Sequence, residues 1–196
     1  MNLKTGALVL AAGFSRRFGR DKRIEAVRSN EPMLFQTIQN LAPHFEEIII
    51  TLRRNDPAIA DLVQNRFQHS QIIIHHATDS IEGIGTSLAS TIGIVTERKW
   101  SSVFVFLGDM PYLKSETIFK LKTESSTNPR DIIVPKFVTE TGHPVCFPSR
   151  FYKEIGSLSG DTGAKKIIQS NLDYVRFVKT NDRGVILDID TPKDIF

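Results

Sequence analysis

Several things are scarce in this 196-residue sequence, and each scarcity closes off a class of protein. There is one cysteine, Cys146, so neither an intrachain disulfide nor a cysteine zinc cluster can form. No apolar run reaches the roughly 20 residues that a membrane span needs. Neither sign of charge dominates: 25 basic residues face 22 acidic ones, for a net charge of +3, which does not point to a nucleic-acid binder. There is one tryptophan, and the 13 phenylalanines are scattered, so they read as core and not as a platform for stacking bases. The opening segment MNLKTGALVLAAG has a short apolar run, but Arg16, Arg17 and Arg20 follow where a cleavage site would stand, so a secretory leader is a poor reading. The expectation is a cytoplasmic protein with no membrane partner. Residues 1–196 are expected to form one domain, because the length suits one sizeable core and no linker, repeat or low-complexity segment interrupts it.

What is present is a series of apolar, β-rich runs with helical stretches between them. Ala7–Ala11, Ile48–Leu52, Ile72–His75, Val103–Leu107 and Ile132–Pro135 are nearly continuous in apolar character, as parallel strands covered on both faces require. Pro32–Leu41, Pro57–Phe67, Thr86–Thr96 and Ser115–Thr123 read as helices, with entry signals at Asp56-Pro57 and Ser115-Glu116. Such a βαβ series predicts an open α/β sheet with right-handed crossovers. In the last third, Gly142–Phe147, Tyr174–Val178 and Val185–Ile189 read as strands. Helices are expected near Ser149–Ile155 and over Ala164–Asn171, and Thr191-Pro192 opens a final one.

Three segments carry candidate chemistry. In Leu10–Lys22 a buried strand runs into a loop of small residues, glycines and cations. Five basic residues fall between Arg16 and Arg23, with Asp21 the single acid among them. Small residues let a ligand approach the backbone, and free N–H groups bind phosphate oxygens. Arg17 and Lys22 can neutralise a triphosphate and the charge of a leaving pyrophosphate. The segment is neither a Walker A loop nor Gly-x-Gly-x-x-Gly. By itself it is equally consistent with an exposed crossover loop. Asp109, in Leu107–Pro111, follows an apolar strand whose carboxyl end is where open α/β sheets bind ligands, and a carboxylate there suits a divalent cation. It equally suits a turn before Pro111. Asp188 and Asp190 alternate along an expected strand and so share a face, although Asp190 before Thr191-Pro192 also fits an ordinary helix cap.

Taken together, the segments resemble a known family. Leu10–Lys22 is similar to the L-A-A-G-x-S-x-R-x-G-x-x-K signature of MobA-like nucleotidyltransferases, Gly108–Pro111 to their G-D-x-P, and Asp188–Pro192 to their (D/N)-x-(D/N)-T-P. Gly142–Val145 and Gly160–Ala164 resemble elements of one branch, the molybdenum cofactor cytidylyltransferases. The resemblance implies a Rossmann-like three-layer α/β/α fold of the nucleotide-diphospho-sugar transferase type, with a mostly parallel sheet. The N-terminal part would bind nucleotide and the C-terminal part the acceptor. It implies that Leu10, Ala11, Ala12 and Gly13 line the base and ribose pocket, that Arg17 and Lys22 hold the triphosphate, and that Ser87 belongs to a segment closing over it. Asp109 and Asp190 would hold Mg2+, with Asp188 the lesser choice, and His143 and Asp161 would face the acceptor. Arg17, Lys22 and Asp109 would be the catalytic set.

Ala12 stands where the guanylyl branch usually has a second glycine, which favours CTP as donor. The implied acceptor is molybdopterin, with a molybdoenzyme or its maturation factor receiving the product. The rivals are a guanylyltransferase, a sugar- or alcohol-phosphate cytidylyltransferase, and a non-catalytic nucleotide or cofactor carrier. Arg23 departs from the apolar residue usual after the lysine, and Glu25 and Arg28 add further charge. Arg16, Arg20 and Arg23 read as surface charge. His75 and His76 point to opposite faces of a strand and so do not form a metal pair. Cys146 reads as a buried structural thiol and Trp100 as packing.

Overall fold

The computed structural model describes residues 4–27, 30–68, 71–78 and 80–195; Arg28 lies outside them. Eight strands form one sheet: β1 (Thr5–Leu10), β2 (Ile48–Arg53), β3 (Ile72–Ala77), β4 (Ser102–Leu107), β5 (Ile132–Phe137), β6 (Glu140–Thr141), β7 (Val145–Pro148) and β8 (Val175–Thr180). β3, β2, β1 and β4 lie side by side and parallel. β7 is antiparallel to both β4 and β5, and β6 continues its line beside β5. β8 is parallel to β5. The sheet is therefore mostly parallel, as expected, with one reversed line through it.

Helices cover both faces, and strand alternation decides which residue meets which layer. Ala7, Val9 and Ala11 face one core with Phe104, Phe106 and Ile133, covered by α1 (Met33–Leu41), α2 (Pro57–Arg66) and α4 (Ser115–Thr127). Leu8, Leu10, Val103 and Val105 face the other, covered by α3 (Ile84–Glu97), α5 (Tyr152–Ile155) and α6 (Lys165–Ser170). In α3 the spacing Leu88, Ile92, Val95 places one stripe on the sheet. Each such fully buried side chain stabilises the fold by roughly 2 kcal/mol. Gly6 is required by packing, since a Cβ there would lie only 2.2–2.3 Å from ring carbons of the buried Trp100. Cys146 is buried beside the Ser125 hydroxyl, and burial pushes its thiol pKa up to about 12.

The last third departs from expectation. Val185–Ile189 is not a strand. Its hydrogen bonds go to different elements: the His143 N–H donates to the Val185 carbonyl at 2.8 Å, and the Ile189 N–H to the Asp109 carbonyl at 3.1 Å. Val185 is buried in the first core and Ile189 in a small separate cluster with Phe18, Val27 and Met33. A chain that must reach both cannot keep one ladder. The buried Asp182 carboxylate anchors the start of this crossing by accepting from the Lys114 N–H, the Thr117 hydroxyl and the Gly184 N–H. The final helix is a single 3-10 turn, Pro192–Asp194, capped reciprocally by Thr191 and Asp194 and not by Asp190. β6 was not expected from the sequence. Asp56 and Ser115 make no side-chain cap at their helices.

One surface cluster gives a measurable acid dependence. Glu47 binds the Arg98 guanidinium, Lys4 and the Trp100 indole N–H, and these hold its carboxyl down to about 2. The folded pKa lies below the unfolded one of about 4.5. The stabilisation is thus full above that pH and is lost as pH falls toward 2. Allowing for the exposure of Arg98, it amounts to about 1–2 kcal/mol. Glu47→Gln should flatten the urea-midpoint profile between these pH values; an unchanged slope would show that the cluster does not contribute.

Candidate active site

Chain order puts a cleft at one end of the sheet. β2 and β3 step outward from one side of β1, and the crossover through α3 returns to β4 on its other side. Strand order reverses between β1 and β4, where doubly wound sheets leave a crevice at the carboxyl ends of the strands. The loop after β1 and the segment Leu107–Asp109 after β4 line a cleft of about 440 Å³ there.

The loop is held at defined points. The Ala11 N–H donates to the Thr51 carbonyl at 2.9 Å, the last tie to the neighbouring strand. Ser15 takes a positive φ of 51° and its carbonyl accepts from the Phe18 and Gly19 N–H groups, closing a turn. Between these ties, the backbone N–H groups of 12–17 meet no acceptor among the described residues.

Lys22 emerges from this loop onto the far wall. Its ammonium lies 2.6 Å from an Asp109 oxygen and 3.3 Å from an Asp190 oxygen, and it donates to the Ile189 carbonyl at 2.7 Å. Arg17, with a side chain 76% exposed, reaches the other Asp190 oxygen at 2.6 Å. The second oxygen of Asp109 is buried without a hydrogen-bond partner. Burial raises the Asp109 pKa, the nearby Lys22 ammonium opposes this, and Asp188 adds repulsion. The result is a wall of three carboxylates served by two cations.

The structure brings nearly all the residues singled out in the sequence to this cleft. Leu10, Ala11, Ala12, Gly13, Arg17, Lys22, Ser87, Asp109, Asp161, Asp188 and Asp190 all line it. The Ser87 hydroxyl, however, donates within its own helix to the Gly83 carbonyl at 3.1 Å. The Asp161 loop is docked on the start of α3, where the Gly85 N–H donates to the Gly160 carbonyl and the Gly160 N–H to the Thr86 hydroxyl, both at 2.9 Å. His143 is not among the lining residues. Its Nδ1 lies 3.3 Å from the Val105 carbonyl, which can only accept, so the proton sits on Nδ1. Burial lowers its pKa, although the Val105 bond and the charges of Asp109 and Asp188 pull it back up.

One reading is corrected. Arg23 is not surface charge but 4% exposed. It binds both oxygens of Asp21 at 2.8 and 2.5 Å, both oxygens of Asp56 at 2.5 and 3.1 Å, and the Ala11 carbonyl at 3.0 Å. Arg53, at the end of β2, donates to the Gly13 carbonyl at 2.5 Å and lies 4.8 Å over the Phe14 ring. Arg53 was missed, and Arg23 was noticed but misread. The available signal was a charge at a position where the resemblance wants an apolar side chain, because a buried charge must find partners. Arg20 does match the surface reading, exposed and paired with Glu25, whereas Arg16 lines the cleft. His75 and His76 bond separately, to Ser90 and to the Arg53 carbonyl.

The family model described as the MobA-like NTP transferase domain matches residues 7–175. The chain belongs to this family. Over 136 residues it is 32% identical to a probable molybdenum cofactor guanylyltransferase of Natranaerobius thermophilus, covering 69% of this chain and 62% of that protein. The chain thus spans less than two thirds of that relative's length. Over 194 residues it is 23% identical to the purine catabolism protein PucB of Bacillus subtilis, covering 94% of this chain and 91% of that one. The crystal structure of Rv0371c from Mycobacterium tuberculosis H37Rv superposes with a TM-score of 0.80 at 25% identity, covering 99% of this chain and 96% of the other. A manganese complex of Rv0371c superposes at 0.77.

Removing the Arg23 guanidinium leaves Asp21 and Asp56 sharing only Arg53. Arg23→Met is therefore expected to lower stability by about 3 kcal/mol in urea unfolding; a loss below about 1 kcal/mol would mean that the network is energetically neutral.

Proposed function

We propose that this chain is a metal-dependent nucleotidyltransferase that moves a nucleoside monophosphate from a triphosphate to a phosphate-bearing acceptor and releases pyrophosphate. The observation that carries this reading is the bridge of Lys22 across Asp109 and Asp190, with one Asp109 oxygen buried and unpartnered at the floor of the cleft. An orphaned, buried carboxylate oxygen is costly unless a cation binds it. Among the described residues, no group of three or more His, Cys, Asp or Glu side chains is placed to hold a metal by itself. That fits an ion shared with phosphates and water, the usual habit of Mg2+. When bound, Mg2+ supplies Lewis-acid charge to the phosphates.

The chain's own residues perform the remaining tasks. The free N–H groups of 12–17 cradle phosphate oxygens. Ala11, Ala12 and Gly13 allow base and ribose to approach closely. The acceptor's phosphate oxygen forms a bond to the α-phosphorus as the bond to the β-phosphate oxygen breaks, and Arg17 and Lys22 stabilise the charge on the departing pyrophosphate. Asp161 and His143 stand on the acceptor side, in the C-terminal part of this one domain. The donor we propose is CTP, because Ala12 narrows the pocket where guanylyl enzymes carry glycine, and the acceptor is molybdopterin, in the cytoplasm. The second reading is GTP as donor, favoured by the name of the Natranaerobius relative.

Calorimetric titration with CTP, GTP, ATP and UTP in Mg2+ separates these readings. Tight binding of CTP alone is expected, GTP alone would transfer the assignment to guanylyl transfer, and no binding of any would overturn the function. Asp109→Asn should keep the fold and lower pyrophosphate release by on the order of 100-fold or more; activity near that of the unaltered protein would remove Asp109 from the metal site.

A further inference from the structure

We infer that Arg23 and Arg53 are positioning residues that aim two backbone amides of the nucleotide loop. The inference rests on the nucleotide-binding reading above and concerns how the loop is preset for it.

The sheet orders this loop only as far as Ala11. The Leu10 carbonyl accepts from the Gly108 N–H at 2.9 Å, and the Ala11 N–H is the final donor to β2. The next carbonyls with a partner are those of Ala11 and Gly13, and both are taken by guanidinium groups: Ala11 by Arg23 at 3.0 Å, Gly13 by Arg53 at 2.5 and 3.2 Å. The peptide bonds that follow Ala11 and Gly13 are trans. In a trans peptide the N–H points opposite to the C=O. Capturing these two carbonyls therefore turns the N–H groups of Ala12 and Phe14 away from the guanidinia. Neither N–H has an acceptor among the described residues, and Ala12 and Phe14 both line the cleft.

The two arginines are themselves immobilised. Asp56 accepts from both the Arg23 side chain and the Arg53 N–H, at 2.5 and 3.2 Å, and an Asp21 oxygen lies 2.5 Å from Arg23 and 3.7 Å from Arg53. Two cations and two carboxylates make a neutral network, so the loop is fixed without adding net charge beside the triphosphate. Arg53 also covers the Phe14 ring, which pins the second peptide from its side chain. Preset donors of this kind bind anions without an ordering cost at the moment of binding.

The test uses the whole chain. Arg53→Met leaves Arg23 to neutralise Asp21 and Asp56, so the network survives. Hydrogen exchange read residue by residue, with and without CTP and GTP in Mg2+, should show nucleotide protecting the Ala12 and Phe14 amides in the unaltered protein. In Arg53→Met, protection should be lost at Phe14 and kept at Ala12, with nucleotide Kd raised on the order of tenfold. Arg53→Lys, which still has a donor for the Gly13 carbonyl, should recover part of both. Arg23→Lys should reverse the pattern, weakening protection at Ala12 first. A general structural role would instead loosen all loop amides together, without rescue by lysine. Nucleotide that binds the unaltered protein without protecting Phe14, or binds Arg53→Met as tightly, would overturn the inference while leaving the proposed function standing. Failure of any nucleotide to bind the unaltered protein would overturn both.

Discussion

The ammonium of Lys22 joins three stretches of chain that are far apart in sequence: the loop after β1, the end of β4 at Asp109, and the crossing segment at Ile189 and Asp190. Carboxylates brought this close repel one another, and burial, with the charge of Asp188, raises the Asp109 pKa. A cation between them makes their approach tolerable. Through this cation the three stretches close on one another at one wall of the cleft. The sheet places β1 and β4 side by side, and Asp182 fastens the start of the crossing segment to α4.

A second electrostatic cluster lies next to the first and has a different character. Arg23, Asp21, Asp56 and Arg53 neutralise one another, and each arginine also donates to a backbone carbonyl of the loop. The Lys22 cluster keeps an unsatisfied oxygen on Asp109, whereas in this one every guanidinium nitrogen of Arg23 has an acceptor. In the proposed function the first cluster takes part in the chemistry and the second holds the loop in place. Adjacent residues in the chain, Lys22 and Arg23, fall on opposite sides of this division.

The fold was legible because its signals are local. Continuous apolar runs with helices between them admit few arrangements other than a parallel sheet covered on both faces. The candidate site was legible through the resemblance of its segments taken together, since the basic loop and each aspartate alone also suited a structural role. The segment 185–189 misled because its apolar run, leading into Asp188 and Asp190 on either side of Ile189, mimics a strand. In fact Val185 and Ile189 alternate between two separate clusters, and their backbone partners belong to two elements.

The sequence by itself determined the mostly parallel α/β core, because periodicity is a local signal, and the resemblance of its segments to a known family marked the loop and the aspartates. Only the tertiary structure decided which charges face the cleft and which are spent on each other. Arg17, Arg20 and Arg23 are the same residue type within seven positions, yet one reaches Asp190, one lies on the surface with Glu25, and one is buried against Asp56. The physical reason is that the role of a charge is fixed by its partners and its exposure to water. The partners of Arg17 and Arg23, at positions 190 and 56, are brought near only when the sheet has formed.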